Sequence, residues 1–189
     1  MRKLIVIFLL LSSFCFSQTK PINSENTWLI DYYFKDDKII KDGLSNIINL
    51  TLTGKYNDAK IEIYRLKSEV QKSSLAYSAL LCYEANICYN ESKYDQSFTL
   101  ADSAISITSN LDKDNRYIVK ALNIKAKALS ALNEFESSEK ILNETVQLAT
   151  AIEDKNGLAS SYYLQNSNAS DRGFYTKSKD LLLKSIALR

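Results

Sequence analysis

Few side chains in this sequence could carry out chemistry. None of the 189 residues is histidine, so histidine triads, histidine metal sites and imidazole proton transfer are excluded. Two close acidic groups, Asp36-Asp37 and Glu136-Ser137-Ser138-Glu139, are candidates for acid–base or metal chemistry. No glycine-rich phosphate loop is present.

Both acidic groups and the cysteines have a simpler structural explanation. The acidic groups stand near predicted helix starts, where negative charge complements the helix dipole. Cys82 and Cys88 are six positions apart on one predicted helix, about 9 Å along its axis, which is too far for a disulfide. We expect both to be buried, reduced thiols. The sequence therefore predicts no catalytic residue, no metal site and no cofactor.

The N-terminus has the form of a secretory leader. Met1-Arg2-Lys3 precedes an apolar run from Leu4 to Leu11, and Ser17 follows as a small residue for cleavage. The run is short for a membrane helix, which needs about 20 residues. We predict a signal peptide over residues 1–17 and an exported chain, periplasmic or secreted, with no membrane contact after cleavage. A retained N-terminal anchor is the alternative, and lipid modification of Cys15 is disfavoured by the bulky Phe14 beside it.

Charge and composition narrow the class of the remaining chain. The leader holds two of the 24 basic residues, so the other 172 residues balance 22 basic against 22 acidic side chains. Nucleic-acid binders usually carry a basic excess, so no nucleic-acid partner is predicted. Only four glycines and one proline occur in the whole sequence, which favours a nearly all-helical chain.

Four segments share one pattern of residue types. Each has an aromatic residue, a small residue three positions later, an apolar or small residue four after that, and another three further on. The segments are Tyr56-Ala59-Ile63-Leu66, Tyr94-Ser97-Ala101-Ala104, Phe135-Ser138-Leu142-Thr145 and Tyr175-Ser178-Leu182-Ser185. Their aromatics are 38, 41 and 40 residues apart, and a turn-forming residue precedes each by two positions: Gly54, Ser92, Asn133 and Gly173. A fixed period of this size is typical of stacked structural repeats.

A second amphipathic helix is predicted upstream of each turn. These helices cover 42–52, 74–90, 116–132 and 158–170, and Ala85 and Ala126 are small positions on two of them. Two helices joined by a tight turn form a hairpin that cannot bury its apolar face alone, whereas a stack of hairpins can. An ordinary helical bundle with coincident spacing is the alternative.

The pattern resembles the tetratricopeptide repeat. That family has an aromatic and a small residue where this chain has Tyr94 and Ser97, and a further small residue where it has Ala85. At the position of Ala85, the first and last repeats depart from the pattern with Ile47 and Asn166. The proline that closes the family's repeat is absent. The resemblance implies an all-α, right-handed superhelical solenoid of antiparallel hairpins with about four repeats: 41–72, 73–112, 113–154 and 155–189. The long period is similar to exported Bacteroidetes proteins and to sensor regions of their membrane-anchored regulators.

The resemblance also implies where binding occurs, because the first helix of each hairpin lines the concave surface in that family. The matching positions give a candidate peptide-binding groove of Asn86, Tyr89, Asn90, Lys120, Asn123, Lys127 and Tyr163. Asparagine bonds backbone groups, lysine pairs with a carboxylate, and tyrosine adds flat apolar area. We expect an extended peptide across Asn86, Asn90, Asn123 and Lys127. The alternative is that these are solvated polar residues on a helix face.

The two ends fall outside the regular pattern. Residues 18–40 are predicted to cap the solenoid, with Trp28 to Phe34 as a helix or turn; an aromatic recognition cluster is the alternative. Residues 180–189 are predicted to form a helix whose apolar side chains would require burial against another element. This suggests a truncated product or self-association through the C-terminal helix.

The sequence as a whole predicts a protein or peptide interaction module without catalytic activity, such as the sensor or scaffold part of a signalling protein. The alternatives are a receptor for a short signalling peptide or small ligand, which needs a defined pocket, and an enzyme limited to carboxylate chemistry.

Overall fold

A computed structural model describes residues 23–109, 111 and 116–189, with side chains from Thr27 onward. Within these residues every regular element is a helix, as the low glycine and proline content predicted. The helices are α1 (Asn23–Phe34), α2 (Lys38–Leu52), α3 (Tyr56–Glu69), α4 (Leu75–Asn90), α5 (Tyr94–Thr108), α6 (Arg116–Ala131), α7 (Phe135–Ala151), α8 (Lys155–Asp171) and α9 (Tyr175–Ala187). The predicted leader, residues 1–17, lies outside the described residues.

The four pattern aromatics mark the start of the second helix in each hairpin. Helices α3, α5, α7 and α9 begin at Tyr56, Tyr94, Phe135 and Tyr175. The residue two positions earlier has a positive φ in every case: 73° at Gly54, 61° at Ser92, 64° at Asn133 and 78° at Gly173. Glycine adopts this left-handed region freely and asparagine tolerates it, which is why these residues end helices. The four turn residues were therefore predicted correctly.

The same hydrogen bond closes all four turns. The residue just before the second helix donates its backbone N–H to the carbonyl five positions earlier. These bonds are Lys55 to Leu50 at 2.8 Å, Lys93 to Cys88 at 2.8 Å, Glu134 to Leu129 at 2.9 Å and Phe174 to Ala169 at 2.7 Å. Because the turns share one geometry, the chain passes from the first to the second helix of each hairpin in the same way.

The helices pack in series, as expected of a helical repeat. Each helix from α1 to α9 contacts the next along the chain, and the first helices also contact one another: α2 with α4, α4 with α6, and α6 with α8. Ala59, Ser97 and Ser138 from the pattern are fully buried, as are Ala85 and Ala126 on the first helices. Small side chains at these positions let neighbouring helices approach closely. We call the surface formed by α2, α4, α6 and α8 the first-helix face.

Helix α1 lies against this face. Leu29, Ile30 and Phe34 are buried, and the rings of Tyr33 and Phe34 stand 5.3 and 6.2 Å from the ring of Tyr117 at the start of α6. The segment predicted as a helix or turn is thus helical, and it reaches from the first hairpin to the third.

Polar side chains fill much of the interface between the third and fourth hairpins. The Oγ of Ser138 donates to the Ala126 carbonyl at 2.8 Å and accepts from Asn168 Nδ2 at 2.9 Å, while Ser130 Oγ donates to Asn168 Oδ1. Gln165 Nε2 donates to Asn143 Oδ1 at 2.7 Å. Because the buried Ser138, Gln165 and Asn168 are paired, their burial costs little.

The strained turn at Ser92 allows a stability test. We expect Ser92→Gly to raise the free energy of unfolding by about 0.5 kcal/mol, because relief of the left-handed strain exceeds the entropy cost of glycine. The same change at the exposed, mid-helix Ser103 should lower it by about 0.5–1 kcal/mol. Urea unfolding midpoints measure both, and equal effects of the same sign would contradict the turn geometry.

Candidate functional site

A cavity of about 340 Å³ opens on the first-helix face. Residues of α1, α2, α4, α6 and α8 line it, with Trp28 and Leu29 of α1 forming one wall. The cavity therefore exists because the first helices share one face and α1 covers part of it. Five of the seven predicted groove residues line this cavity: Asn86, Lys120, Asn123, Lys127 and Tyr163.

The other two predicted residues lie beside the cavity. Tyr89 is half-buried and supports Lys127, whose Nζ stands 3.7 Å from the centroid of the Tyr89 ring. Asn90 is exposed, is the last residue of α4 and does not line the cavity. The four residues expected to share an extended peptide are therefore brought together only in part.

Lys120 and Lys127 are held over tyrosine rings. The Nζ of Lys120 stands 3.9 Å from the centroid of the Tyr83 ring, which matches the contact of Lys127 with Tyr89. Across residues 27–109, 111 and 116–189, neither lysine pairs with a carboxylate. A cation over a ring face gains some attraction but keeps its charge, so both ammonium groups remain able to bind an anion.

Burial changes the acid–base behaviour of Lys127. Loss of water around the ammonium group lowers the pKa of Lys127 below its usual value, because desolvation disfavours the charged form. An anionic group placed beside it would oppose this shift. An anion in the cavity would therefore stabilise the charged form of Lys127.

Asn123 has a structural role as well as a place in the cavity wall. Its Nδ2 donates to the Gly157 carbonyl at 3.2 Å, and its Oδ1 accepts from Ser161 Oγ at 2.8 Å. Both ends of this amide thus tie α6 to α8. Asn86, which is half-buried, is the asparagine of the cavity better placed to meet a ligand.

Arg116 is a cavity residue that the sequence analysis did not single out. Its Cζ lies 5.3 Å from the centroid of the Trp28 ring and 5.4 Å from that of Tyr32, so the guanidinium group binds α1 through cation–π contacts. Its position four residues before Lys120 places both side chains on one helix face, and that spacing is a signal that could have identified it.

Asp154 is the only acidic residue among those that line the cavity within the described residues. It is buried, and its Oδ1 caps α8 by accepting the Gly157 backbone N–H at 3.0 Å. Burial raises the pKa of Asp154, while the hydrogen bonds from Gly157 and Asn156 and the charge of Arg116 oppose that shift. A single capping carboxyl is too few to balance all of the cavity's cations.

The cysteines are poorly suited to chemistry. Cys82 and Cys88 are free and buried, as predicted. Burial raises the pKa of Cys82 to about 12 and also raises that of Cys88, so both stay protonated at neutral pH. In the part of the chain that the structure describes, no three side chains of the metal-binding types come together.

No protein-family model matches this chain, and no curated protein sequence matches it. Within the described residues, no helix has the length and apolar character to cross a bilayer. The assignment of a function therefore depends on the geometry of the first-helix face.

The raised pKa of Asp154 predicts a pH effect on stability. A carboxyl whose pKa is higher in the folded than in the unfolded chain loses stability as pH rises from the unfolded value through the folded one. Asp154→Asn keeps a capping oxygen and removes this titration. We expect the stability difference, Asp154→Asn minus wild type, to grow as pH rises from about 3 to 6.

Thermal or urea unfolding across this pH range measures that difference. Asp154→Ala serves as the control, because it removes the same titration but also loses the cap, and it should be about 1 kcal/mol less stable than Asp154→Asn at every pH. A difference between Asp154→Asn and wild type that shrinks with rising pH would show that the folded protein favours the ionised carboxyl.

Proposed function

We propose that this chain is an exported binding module of the tetratricopeptide type, which holds a protein or peptide partner on its first-helix face and carries out no catalysis. The observation that supports it most directly is the pair Lys120 and Lys127, which faces a cavity without carboxylate partners in the described residues. A partly buried residue with a shifted pKa in a cleft, as at Lys127, marks a candidate functional site.

The repeat geometry supports the family assignment. The pattern aromatics begin equivalent helices, the turn residues share a positive φ, and first helices contact one another along the series. A right-handed superhelix is the arrangement that the resemblance implies. Export, with cleavage after Ser17, follows from the leader-like N-terminus and is part of the same proposal.

The mixture of side chains on the face suits peptide recognition. Asn86 offers both a donor and an acceptor, and the half-exposed Tyr163 offers a flat surface with a polar tip. The lysines then supply the charge that an acidic side chain or a terminal carboxylate requires. Such a site needs no reactive group.

A second candidate function is a receptor for a short peptide or a small ligand. The observation that favours it is the cavity volume of about 340 Å³, within the range of about 300–1,000 Å³ typical of small-molecule sites. A broad protein-binding groove would not require the wall that Trp28 and Leu29 provide.

An array of random decapeptides tests the proposed function. We expect the full chain to bind a subset of peptides saturably, and Lys127→Met to weaken binding about tenfold because a charge-assisted contact is lost. Lys179→Met, at an exposed site on α9, is the matched control and should bind as wild type does.

Truncation of the best peptides separates the two candidates. Affinity that survives shortening to two or three residues favours the small-ligand receptor, and affinity that needs the full length favours the peptide groove. An array on which wild type and Lys127→Met give the same pattern would count against both.

We also propose that a second copy of the chain covers the outer face of α9. In the first three hairpins the second helix packs against the next first helix, and there Ile63, Ala101 and Leu142 are at most 2% exposed. The equivalent Leu182 is 38% exposed, and Ile186 beside it is 59% exposed. The pattern position that is buried in the first three hairpins is therefore exposed in the fourth.

Light scattering tests this self-association. We expect wild type to have the mass of a dimer at micromolar concentration and Ile186→Lys to shift it to a monomer, because a buried unpaired charge opposes the contact. Ile61→Lys, at an exposed apolar site on α3, should remain dimeric. A monomeric wild type overturns the proposal.

A further inference from the structure

The charges and walls of the cavity identify the class of its ligand. We propose that the site takes a small amphipathic organic anion, of the size of a di- or tripeptide, with its acidic groups at Lys120 and Lys127 and its apolar part against the α1 wall. The inference depends on the proposed binding function and adds the chemistry of the ligand to it.

Charge balance is the first argument. Three cations of α6, Arg116, Lys120 and Lys127, line the cavity, against the single side-chain carboxyl of Asp154. Asp154 is already engaged as the cap of α8, and its single charge is outnumbered by the cations of α6. The cavity therefore presents an excess of positive charge in a chain whose predicted mature part is neutral overall, and an anion fits it better than a neutral or cationic ligand.

The spacing of the lysines gives the second argument. Lys120 and Lys127 are seven residues apart on α6, about 10 Å along the axis, so their side chains lie on one face two turns apart. A ligand with two acidic groups reaches both lysines. A ligand with a single acidic group binds one lysine or draws both flexible side chains toward itself. Both lysines keep their donors free, since their contacts in the described residues are with ring faces.

An unsatisfied hydroxyl provides a third, independent observation. Tyr83, which is 6% exposed, lines the same cavity, and its Oη has no hydrogen-bond partner in the described part of the chain. A buried hydroxyl without a partner costs about 1–3 kcal/mol. After a small rotation of its ring, Tyr83 would donate this hydroxyl to an acceptor oxygen of a ligand bound at Lys120, and the penalty would be removed. Anionic oxygens are the strongest acceptors available.

The walls set the size and the apolar character. Trp28, Leu29, Ile124 and Leu164 line the cavity together with the cations, so one ligand meets both apolar and charged surface. Helix α1 forms one wall of the cavity, and the volume of about 340 Å³ suits a ligand of a few residues.

Trp28 is the only tryptophan in the sequence, so its fluorescence reports on the α1 wall alone. The full chain is titrated with N-acetyl-Leu-Glu, with phenyl phosphate and with the uncharged N-acetyl-leucyl-glutamine amide. We expect a saturable change in Trp28 emission and a rise in melting temperature with one or both acids, and at least tenfold weaker binding of the uncharged compound. The two acids distinguish carboxylate from phosphate ligands.

Variants connect the signal to the site. Lys120→Met and Lys127→Met keep the apolar stems and should each weaken the binding of the acid about tenfold, while Lys179→Met leaves it unchanged. Circular dichroism confirms that each variant folds. The inference is overturned if the uncharged compound binds as well as the acids, if neither acid gives a saturable response, or if the melting temperature rises while Trp28 emission stays constant.

The peptide array separates this result from a failure of the proposed function. If the chain selects uncharged peptides saturably while both acids fail, the binding module stands and the anionic ligand class is wrong. If the array and the acids both fail, the proposed function itself is wrong.

Discussion

Each hairpin depends on one residue that adopts a left-handed backbone conformation at the end of its first helix. With φ between 61° and 78° at Gly54, Ser92, Asn133 and Gly173, the chain reverses and the next residue but one begins the second helix. The reversal is the same each time, so the first helices are left in equivalent positions and contact one another. The cavity, its cations and the α1 wall all exist because of that alignment.

The alignment creates an electrostatic problem on the first-helix face. Side chains of neighbouring first helices converge there, and α6 contributes Arg116, Lys120 and Lys127 to the same cavity. The protein meets this with aromatic rings in place of carboxylates: Trp28 and Tyr32 hold Arg116, Tyr83 holds Lys120, and Tyr89 holds Lys127. Rings stabilise the cations without neutralising them, which leaves a face that attracts anions.

The sequence was informative where the determinants are local. An aromatic two positions after a turn former predicted the helix starts, because both signals act within a few residues. The sequence did not reveal that α1 crosses to Tyr117, that Asp154 is buried in the cavity wall, or that Asn123 is bonded at both ends to α8. These features arise between residues about 30 to 90 positions apart, and spacing along one helix carries no information about them.

The first-helix face contains two kinds of polar residue that sequence position alone cannot separate. Asn123 and Lys120 are three residues apart on α6 and both line the cavity, yet the amide of Asn123 fixes the distance between α6 and α8 while Lys120 keeps its donors free. A solenoid needs both kinds, because polar pairs between first helices set the width of the cavity in which the free cations stand. For this reason changes at Asn123 should alter stability and binding together, whereas changes at Lys120 should alter binding more than stability.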